Sequence, residues 1–437
     1  MSQRRTGTVK LKYLVRQPLQ YGLSEEAELS DPELPRYVRI TDLTDDGQLR
    51  ADTLRSIDWD IARGFMLTEG DLLFARSGAT VGKTALYNTS WGKAAFAGYL
   101  IRASLDPTNV DFRFVYHYTC SSAYWGWIRA QSTQATIQNV GADKYANLEI
   151  PDLPLSEQKR VAAFLDNATS TIDRIIAKKQ RLIELLDERR TSLISQMVTQ
   201  GIDPGVPMKD SGVPWLGFIP AHWAVRALKV LIVDGCINGA FKKSAEFGTG
   251  TLFINVSDLY SDDFEITEAA LERVAVSTEE LARYNVEQGD IFFVRSSLKL
   301  DGVGRSAMAG LLSEPAIFDC HLVRVRPKNE VINSEFLIAY LNSALVRGQL
   351  VSRANLVTMA TLDQDKISTL PIVVPPPEEQ AAIVNALGGI WISTSQLTSK
   401  LSSNIDRLRE YRSALITVAV TGQLDIRDHE KKMEALS

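Results

Sequence analysis

The strongest constraint on the fold is that this chain is written twice. YVRITDL (Tyr37–Leu43) returns as FINVSDL (Phe253–Leu259), and EGDLLFARSG (Glu69–Gly78) returns as QGDIFFVRSS (Gln288–Ser297). VGKTAL (Val81–Leu86) returns as VGRSAM (Val303–Met308), and ELLDERRTSLISQMVTQGID (Glu184–Asp203) returns as DRLREYRSALITVAVTGQLD (Asp406–Asp425). The offset grows from 216 between Tyr37 and Phe253 to 222 between Glu184 and Asp406, as it does when loops differ and elements do not. Four collinear blocks make this a half-chain duplication, so the architecture has to be read as two copies of one unit. A length of 437 residues agrees, being too long for one ordinary core.

Each copy divides again. Its first part alternates short strand-like runs (GDLLFAR, GDIFFVR) with Gly/Asp turns and short helical patterns such as NSEFLIAYLNSALVRGQL, which predicts a compact α+β domain. A Pro-rich boundary comes next, EIPDLPLSEQ ending at Gln158 and LPIVVPPPEEQ ending at Gln380. Proline cannot continue a strand and Ser156 can cap a helix, so long helices are expected from about Gln158 and Gln380. In the first, Leu165, Ala168, Ile172, Ile175, Lys179, Leu182, Leu186, Arg189 and Leu193 step alternately by three and four, the pattern of a coiled-coil seam. The second repeats it with Leu387, Ile390, Thr394, Leu397, Leu401, Asn404, Leu408, Tyr411 and Leu415. A helix from Gln158 to Gln200 would run about 65 Å. Two such helices most simply bury each other, and a pseudo-two-fold relation between the copies makes them antiparallel.

The expected architecture is therefore two pseudo-two-fold-related globular domains separated by two long helices in an antiparallel coiled coil. The segments are residues 1–150, 151–207 (first helix and linker), 208–372 and 373–437 (second helix and tail). One globular head would sit at either tip, and lengthening the chain after Ile202 should move the heads apart.

RSGATVGKTALYN (Arg76–Asn88) resembles a phosphate-binding loop, but Gly78 and Gly82 enclose three residues where that loop needs four. The residues after Thr84 read as strands and a turn, not as the helix whose N-terminus would face a phosphate. The second copy, RSSLKLDGVGRSAM, is longer and has Arg305 in place of lysine. Phosphate chemistry does not tolerate that variation. A strand–loop–strand presenting basic and hydroxyl side chains does.

Composition is that of a globular protein, with 45% hydrophobic and 23% charged residues, and no apolar run long enough to cross a membrane. MSQRRTGTVKLKYLV lacks the features of a signal peptide, and the cytoplasm is the expected location. Three scattered cysteines and four histidines give no metal-ligand spacing. In FDCH (Phe318–His321), Cys320 and His321 as neighbours on a strand would point to opposite faces. Acidic pairs such as Asp45-Asp46 and Asp262-Asp263 read as turn formers. No motif for nucleotide hydrolysis, methyl transfer or nuclease chemistry is present in the sequence, so neither a catalytic residue nor a bound metal is expected.

Two similar but non-identical heads suit DNA, whose local two-fold symmetry lets paired domains read half-sites on one face. Arg76, Ser77, Lys83 and Thr84 cluster in the first copy, and Arg295, Ser296, Lys299, Arg305 and Ser306 in the second. Arginine and lysine can take guanine or a phosphate, and hydroxyls can take either. A second polar tract precedes each Pro boundary: Arg129, Gln131, Gln134 and Gln138 in RAQSTQATIQNV, and Arg353 and Asn355 in SRANLVTMATLDQ. Gln and Asn pair bidentately with adenine. The net charge of −5 calls for a local basic face.

The layout resembles the specificity subunit of type I restriction–modification systems. The resemblance is carried by GDLLFARSGATVGKTAL, IPDLPLSEQKRVAAFLD, ERRTSLISQMVTQGID, MKDSGVPWLGFIPAHWAVRALK, VPPPEEQ and EYRSALITVAVTGQLD, and covers nearly the whole chain. It implies two target-recognition domains on spacer helices that recruit two adenine-methylating subunits, with ATP-driven restriction subunits in the larger assembly. S-adenosylmethionine, ATP and Mg are then expected on partner subunits and none on this chain. The first helix entry departs from the pattern with Leu155-Ser156 where the second has Pro376-Pro377. A coiled-coil scaffold whose heads bind protein, and a stand-alone DNA-binding repressor, are the competing readings.

Overall fold

The computed structural model describes residues 7–26, 28–44, 47–132, 139–261, 263–356 and 359–426. It forms two compact units, one of residues 1–180 with 402–437 and one of residues 181–401, so each long helix is shared between units near its middle.

In the first unit an antiparallel sheet runs in the spatial order Gln20–Tyr21, Leu100–Ser104, Asp71–Ala75, Thr84–Leu86. The central strand is buried along its whole length. A parallel pair, Arg36–Val38 with Ala94–Phe96, has the register Tyr37↔Ala95. The second unit repeats the plan. Ile291–Val294 takes the central place between Leu322–Pro327 and Ser306–Ala309, and Phe247–Ile254 pairs in parallel with Ala316–Phe318. Registers coincide across the copies: Phe74 faces Thr84 as Phe293 faces Ser306.

The repeated Gly-Asp motif is explained by the core. Asp71 and Asp290 are buried, and each accepts the N–H of the residue three before it, Thr68 at 2.9 Å and Glu287 at 2.8 Å. A buried arginine lies close to each carboxylate, Arg102 to Asp71 and Arg324 to Asp290. These aspartates start the central strand and answer a buried charge, which is why they recur.

The long helices span Leu155–Gln200 and Pro377–Val420. At 46 residues the first is about 69 Å long. Each is fastened to its domain by one buried glutamine in its first turn. Gln158 accepts the N–H of Asp111 at 2.9 Å and donates to the Leu153 carbonyl at 2.8 Å. Gln380 accepts the N–H of Asn333 at 2.7 Å and donates to the Pro375 carbonyl at 2.8 Å. Asp111 and Asn333 are themselves the N-caps of the domain helices Phe112–Thr119 and Ser334–Asn342. The glutamine of the Glu-Gln motif thus ties two helix starts together.

The helices pair within each unit. In the first unit Asp173 meets Arg412 at 2.9 Å. In the second the Arg190 guanidinium lies 4.5 Å over the Trp391 ring, while Gly201 at the end of the first helix lies against Glu379 at the start of the second. Those two contacts make the pairing antiparallel. The seam needs a correction. Leu165, Ile172, Leu401 and Leu415 are buried as expected, and Leu186, Leu193, Leu387, Ile390 and Leu408 are half-buried. Ile175, Leu182 and Leu397, however, are exposed, and the inward positions are Ile176, Ile183 and Thr398. Each of these positions, reached in the expected seam by a step of three, lies one residue later. Apolar neighbours (Ile175 beside Ile176, Leu182 beside Ile183) make both phases fit the sequence. Asn404 was the sign of the wrong one, since the buried residue is Ile405. No helix among the described residues is long and apolar enough to cross a membrane.

Candidate nucleic-acid interface

In each unit the two tracts singled out in sequence lie side by side. Arg76 stands at the end of the central strand. Its N–H donates to the Tyr99 carbonyl at 3.1 Å and its carbonyl accepts the Val140 N–H at 2.9 Å, while Ser77 bridges Asn139. Arg295 is placed in the same way: its N–H donates to the His321 carbonyl at 2.9 Å and its carbonyl accepts the Leu362 N–H at 2.7 Å. Ser296 then pairs with Thr361 across a small sheet that also holds Asn355–Leu356. A three-segment ladder with arginine in the middle rung therefore occurs twice.

The loop after that arginine is closed by a glycine in both copies. Gly82 and Gly304 have φ of +86° and +69°, and a Cβ there would press on Ile128 or Leu350, so no other residue fits without strain. Their N–H groups donate back to Ala75 at 3.0 Å and Val294 at 2.7 Å. The chain then enters strand Thr84–Leu86 or Ser306–Ala309, so the helix that a phosphate-binding loop would need is absent.

The loops are held from beneath by different groups. In the first unit Tyr145 donates to the Ala75 carbonyl at 3.1 Å and Tyr124 to the Gly82 carbonyl at 2.8 Å. Burial pushes both phenols well above their usual range. In the second unit Arg347 donates to the carbonyls of Val303 at 2.9 Å and Asp301 at 2.6 Å. Burial, with Arg305 adding to it, lowers the affinity of that guanidinium for its proton.

Of the predicted contacts, Arg76 lies 4.8 Å over the Tyr21 ring, Ser77 and Lys83 are half-buried, and Arg129 is exposed. Gln131 is half-buried, and its carbonyl accepts from Lys144. Arg295 and Ser296 are half-buried and Lys299 is exposed, whereas Arg305 lies 4.4 Å over Tyr260. Arg353 donates to the Lys366 carbonyl at 3.0 Å, and the exposed Asn355 accepts from the Lys366 ammonium at 2.6 Å. Gln134 and Gln138 lie outside the described residues. Two expectations are corrected. The Thr84 hydroxyl is buried against that of Thr119 at 2.7 Å, and Ser306 is fully buried, so neither faces a ligand. Both sit on a strand whose alternation turns them inward, while Lys83 and Arg305 precede them on the loop.

The reading of Phe318–His321 is also corrected. Cys320 and His321 lie in the turn between strands Ala316–Phe318 and Leu322–Pro327, where strand alternation does not apply. Donor atoms of Asp319, Cys320 and His321 lie within 4.8 Å of one another. His321 donates its N–H to Asp319 Oδ1 at 2.7 Å and its Nδ1 is 2.5 Å from the Ser296 hydroxyl. Burial first, then Asp319, raises the Cys320 thiol. Tyr99 and His321 are site residues that sequence reasoning misses. The signal is nonetheless present: FAGYL and FDCHL stand at the offset of the other repeats.

Comparison with known proteins decides what this repeated ladder belongs to. Residues 237–407 match the type I restriction modification DNA specificity domain. The chain is 25% identical over 364 residues to the type I restriction enzyme StySPI specificity subunit of Salmonella potsdam, covering 81% of this chain and 74% of that one. It is 23% identical to the EcoKI specificity subunit of Escherichia coli (strain K12), covering 81% and 75%. The matched domain and these relatives make the chain similar to the type I specificity subunits. Solved structures agree in fold. A chain from a study of complex assembly and conformational transition of the type I R-M system superposes with a TM-score of 0.73 at 18% identity, covering 95% of this chain and 98% of that one. The HsdS subunit from Thermoanaerobacter tengcongensis gives 0.52 at 18% identity, covering 97% and 98%. The matched span holds the second ladder entire, from Arg295 to Leu362, together with most of the second long helix.

Proposed function

We propose that this specificity subunit reads a split, asymmetric double-stranded DNA target, each unit taking one half through its arginine-centred ladder, and recruits two adenine methyltransferase subunits. Restriction and translocase subunits would join the larger cytoplasmic assembly. S-adenosylmethionine, ATP and Mg would then reside on partner subunits. The observation that carries the reading is the ladder itself: one backbone arrangement, built twice, with a constant arginine and differing side chains around it. Identical scaffolds with different exposed groups suit two different half-sites. The DNA-facing set is Arg76, Ser77, Lys83, Arg129, Gln131, Arg295, Ser296, Lys299, Arg305, Arg353 and Asn355, with Gln134 and Gln138 in the adjoining tract.

Recruitment is supported by the long helices, where Leu182, Leu185, Ile392 and Leu397 of the second unit are exposed. Apolar side chains left outward on a paired helix suit a protein partner. A genome-wide methylation map of cells with and without this gene tests the function. A bipartite adenine motif that vanishes with the gene is expected; identical maps would sink the proposal. Co-purification of a methyltransferase separates it from a stand-alone DNA-binding protein.

A further inference from the structure

We infer that Tyr99 and His321 are the side chains with which the two units choose different bases, while Arg76 and Arg295 make a contact common to both. The inference rests on the DNA reading above and assigns the roles within it. Two units that read unlike half-sites cannot obtain the difference from a residue they share, and the middle rung of the ladder is arginine in both. The outer rung is where they part. Its residue is Tyr99 in one unit and His321 in the other, each directly hydrogen-bonded through its carbonyl to the arginine N–H.

Both residues are delivered by a rigid turn. Tyr99 lies between the fully buried Phe96 and Leu100, and His321 between the fully buried Phe318 and Leu322. The side chains themselves are exposed, Tyr99 to 64%. An aromatic group left in solvent on a fixed backbone, one rung from an arginine, is preorganised for a ligand. Their chemistry differs in a way a base pair can sense. Tyr99 offers a flat apolar ring with one hydroxyl, suited to packing on a thymine methyl or donating to a purine acceptor. His321 has its Nδ1 occupied by the Ser296 hydroxyl, which leaves Nε2 as the one ring atom able to meet a base edge. Arginine, identical in both ladders, suits a phosphate or a guanine in either half-site.

The test exchanges the two residues in the full complex and reads the methylation motif by sequencing. Tyr99→His should relax or change one base pair of one half-site, with discrimination there altered about tenfold, and leave the other half intact. His321→Tyr should do the same to the opposite half. Both variants methylating the wild-type motif with unchanged discrimination would overturn the inference, whereas a wild-type complex that yields no motif would overturn the DNA reading instead. If a variant abolishes methylation, Tyr99→Phe and His321→Asn complexes are assayed by competition binding with duplexes altered at single base pairs. Loss of discrimination at one base pair supports the assignment. Uniform weakening against every duplex would mean that these side chains serve the scaffold, and the inference fails.

Discussion

The two units hold the same loop in place by opposite means. Beneath Arg76–Lys83 lie two neutral phenols, Tyr124 and Tyr145, whereas beneath the longer loop after Arg295 lies the guanidinium of Arg347. In the second unit three extra residues lengthen the loop and put Leu298 and Lys299 in solvent. A longer loop exposes more backbone carbonyls at its base, and one guanidinium can answer two of them where a phenol answers one. The docking of each head on its long helix diverges as well. In the first unit Asp166 on the long helix takes His117 at 2.7 Å and Arg113 at 2.9 Å; in the second unit Ala339 and Gly388 stand where His117 and Asp166 do and Glu335 stands where Arg113 does, so the ion pairs have no counterpart. What stays constant is the backbone: the ladder, the closing glycine and the buried glutamine. Duplication has kept the hydrogen-bonded frame and let the side chains that support it drift.

If the helices are the shared frame, changing them should move both heads and alter neither. The expectation that the junction after Ile202 sets the distance is revised. Gly201 is fixed against Trp223 and Glu379 inside the second unit, and the units divide at Gln180 and Leu401. Seven residues inserted after Gln180 and seven after Leu401 preserve the seam phase and add about 10 Å. At about 3.4 Å per base pair, the non-specific gap in the methylation motif should grow by about three base pairs with both half-sites unchanged. An active variant with the original gap would show that the helices do not measure distance.

The difference between the heads should appear next. Arg347→Ala leaves the Val303 and Asp301 carbonyls without their donor and removes a half-buried side chain. A loss of about 1–3 kcal/mol in the second unit is expected. Recognition of one half-site should weaken about tenfold in competition binding, and the other should not change. Equal weakening of both halves would mean that the loop supports are not independent.

How much of this is legible in sequence divides along the same line. The duplication, the long helices and the ladder tracts are readable because backbone frames leave strong periodic marks: Gly-Asp at the strand start, Val-Gly-basic at the loop, Glu-Gln at the helix entry. The seam phase misleads because Ile175-Ile176 and Leu182-Ile183 satisfy either phase, and only the partner helix decides between them. Thr84 misleads because a hydroxyl beside a lysine says nothing of which side of a strand it faces. Tyr145 and Arg347 escape sequence reasoning for one reason. Each acts through backbone groups far away in the chain, and such pairings have no local signature.

A smaller effect tests the ionic docking of the first head. Burial pushes the Asp166 carboxyl up, but the hydrogen bond and charge of His117, with Arg113, outweigh it and hold the group below its ordinary value. A carboxyl depressed in the folded state adds stability above its unfolded pKa and loses it as pH falls through the folded one. Asp166→Asn should therefore cost about 0.5–1 kcal/mol at pH 7, discounted for its partial exposure, and progressively less as the pH falls through the lowered folded value. Hydrogen exchange should show faster opening of helix Phe112–Thr119 with Ser334–Asn342 unaffected. Equal protection of both helices in variant and wild type would remove the pair from the account.

The smallest expected effect is also the most selective. Tyr145→Phe keeps the ring, which packs on Phe74 with centroids 4.5 Å apart, and removes only the hydroxyl that donates to the Ala75 carbonyl. Because Ala75 also exchanges backbone hydrogen bonds with Lys83 and Gly82, the loop should remain closed, and the loss should be about 0.5 kcal/mol. Affinity for the half-site read by the first unit should fall a few-fold, through motion of Arg76 one residue on. The Arg347-supported loop gives the control within the same molecule: its half-site should bind as before. If the variant weakens both half-sites to the same degree, the phenol stabilises the subunit as a whole, and the two loops are not separately tuned by what lies beneath them.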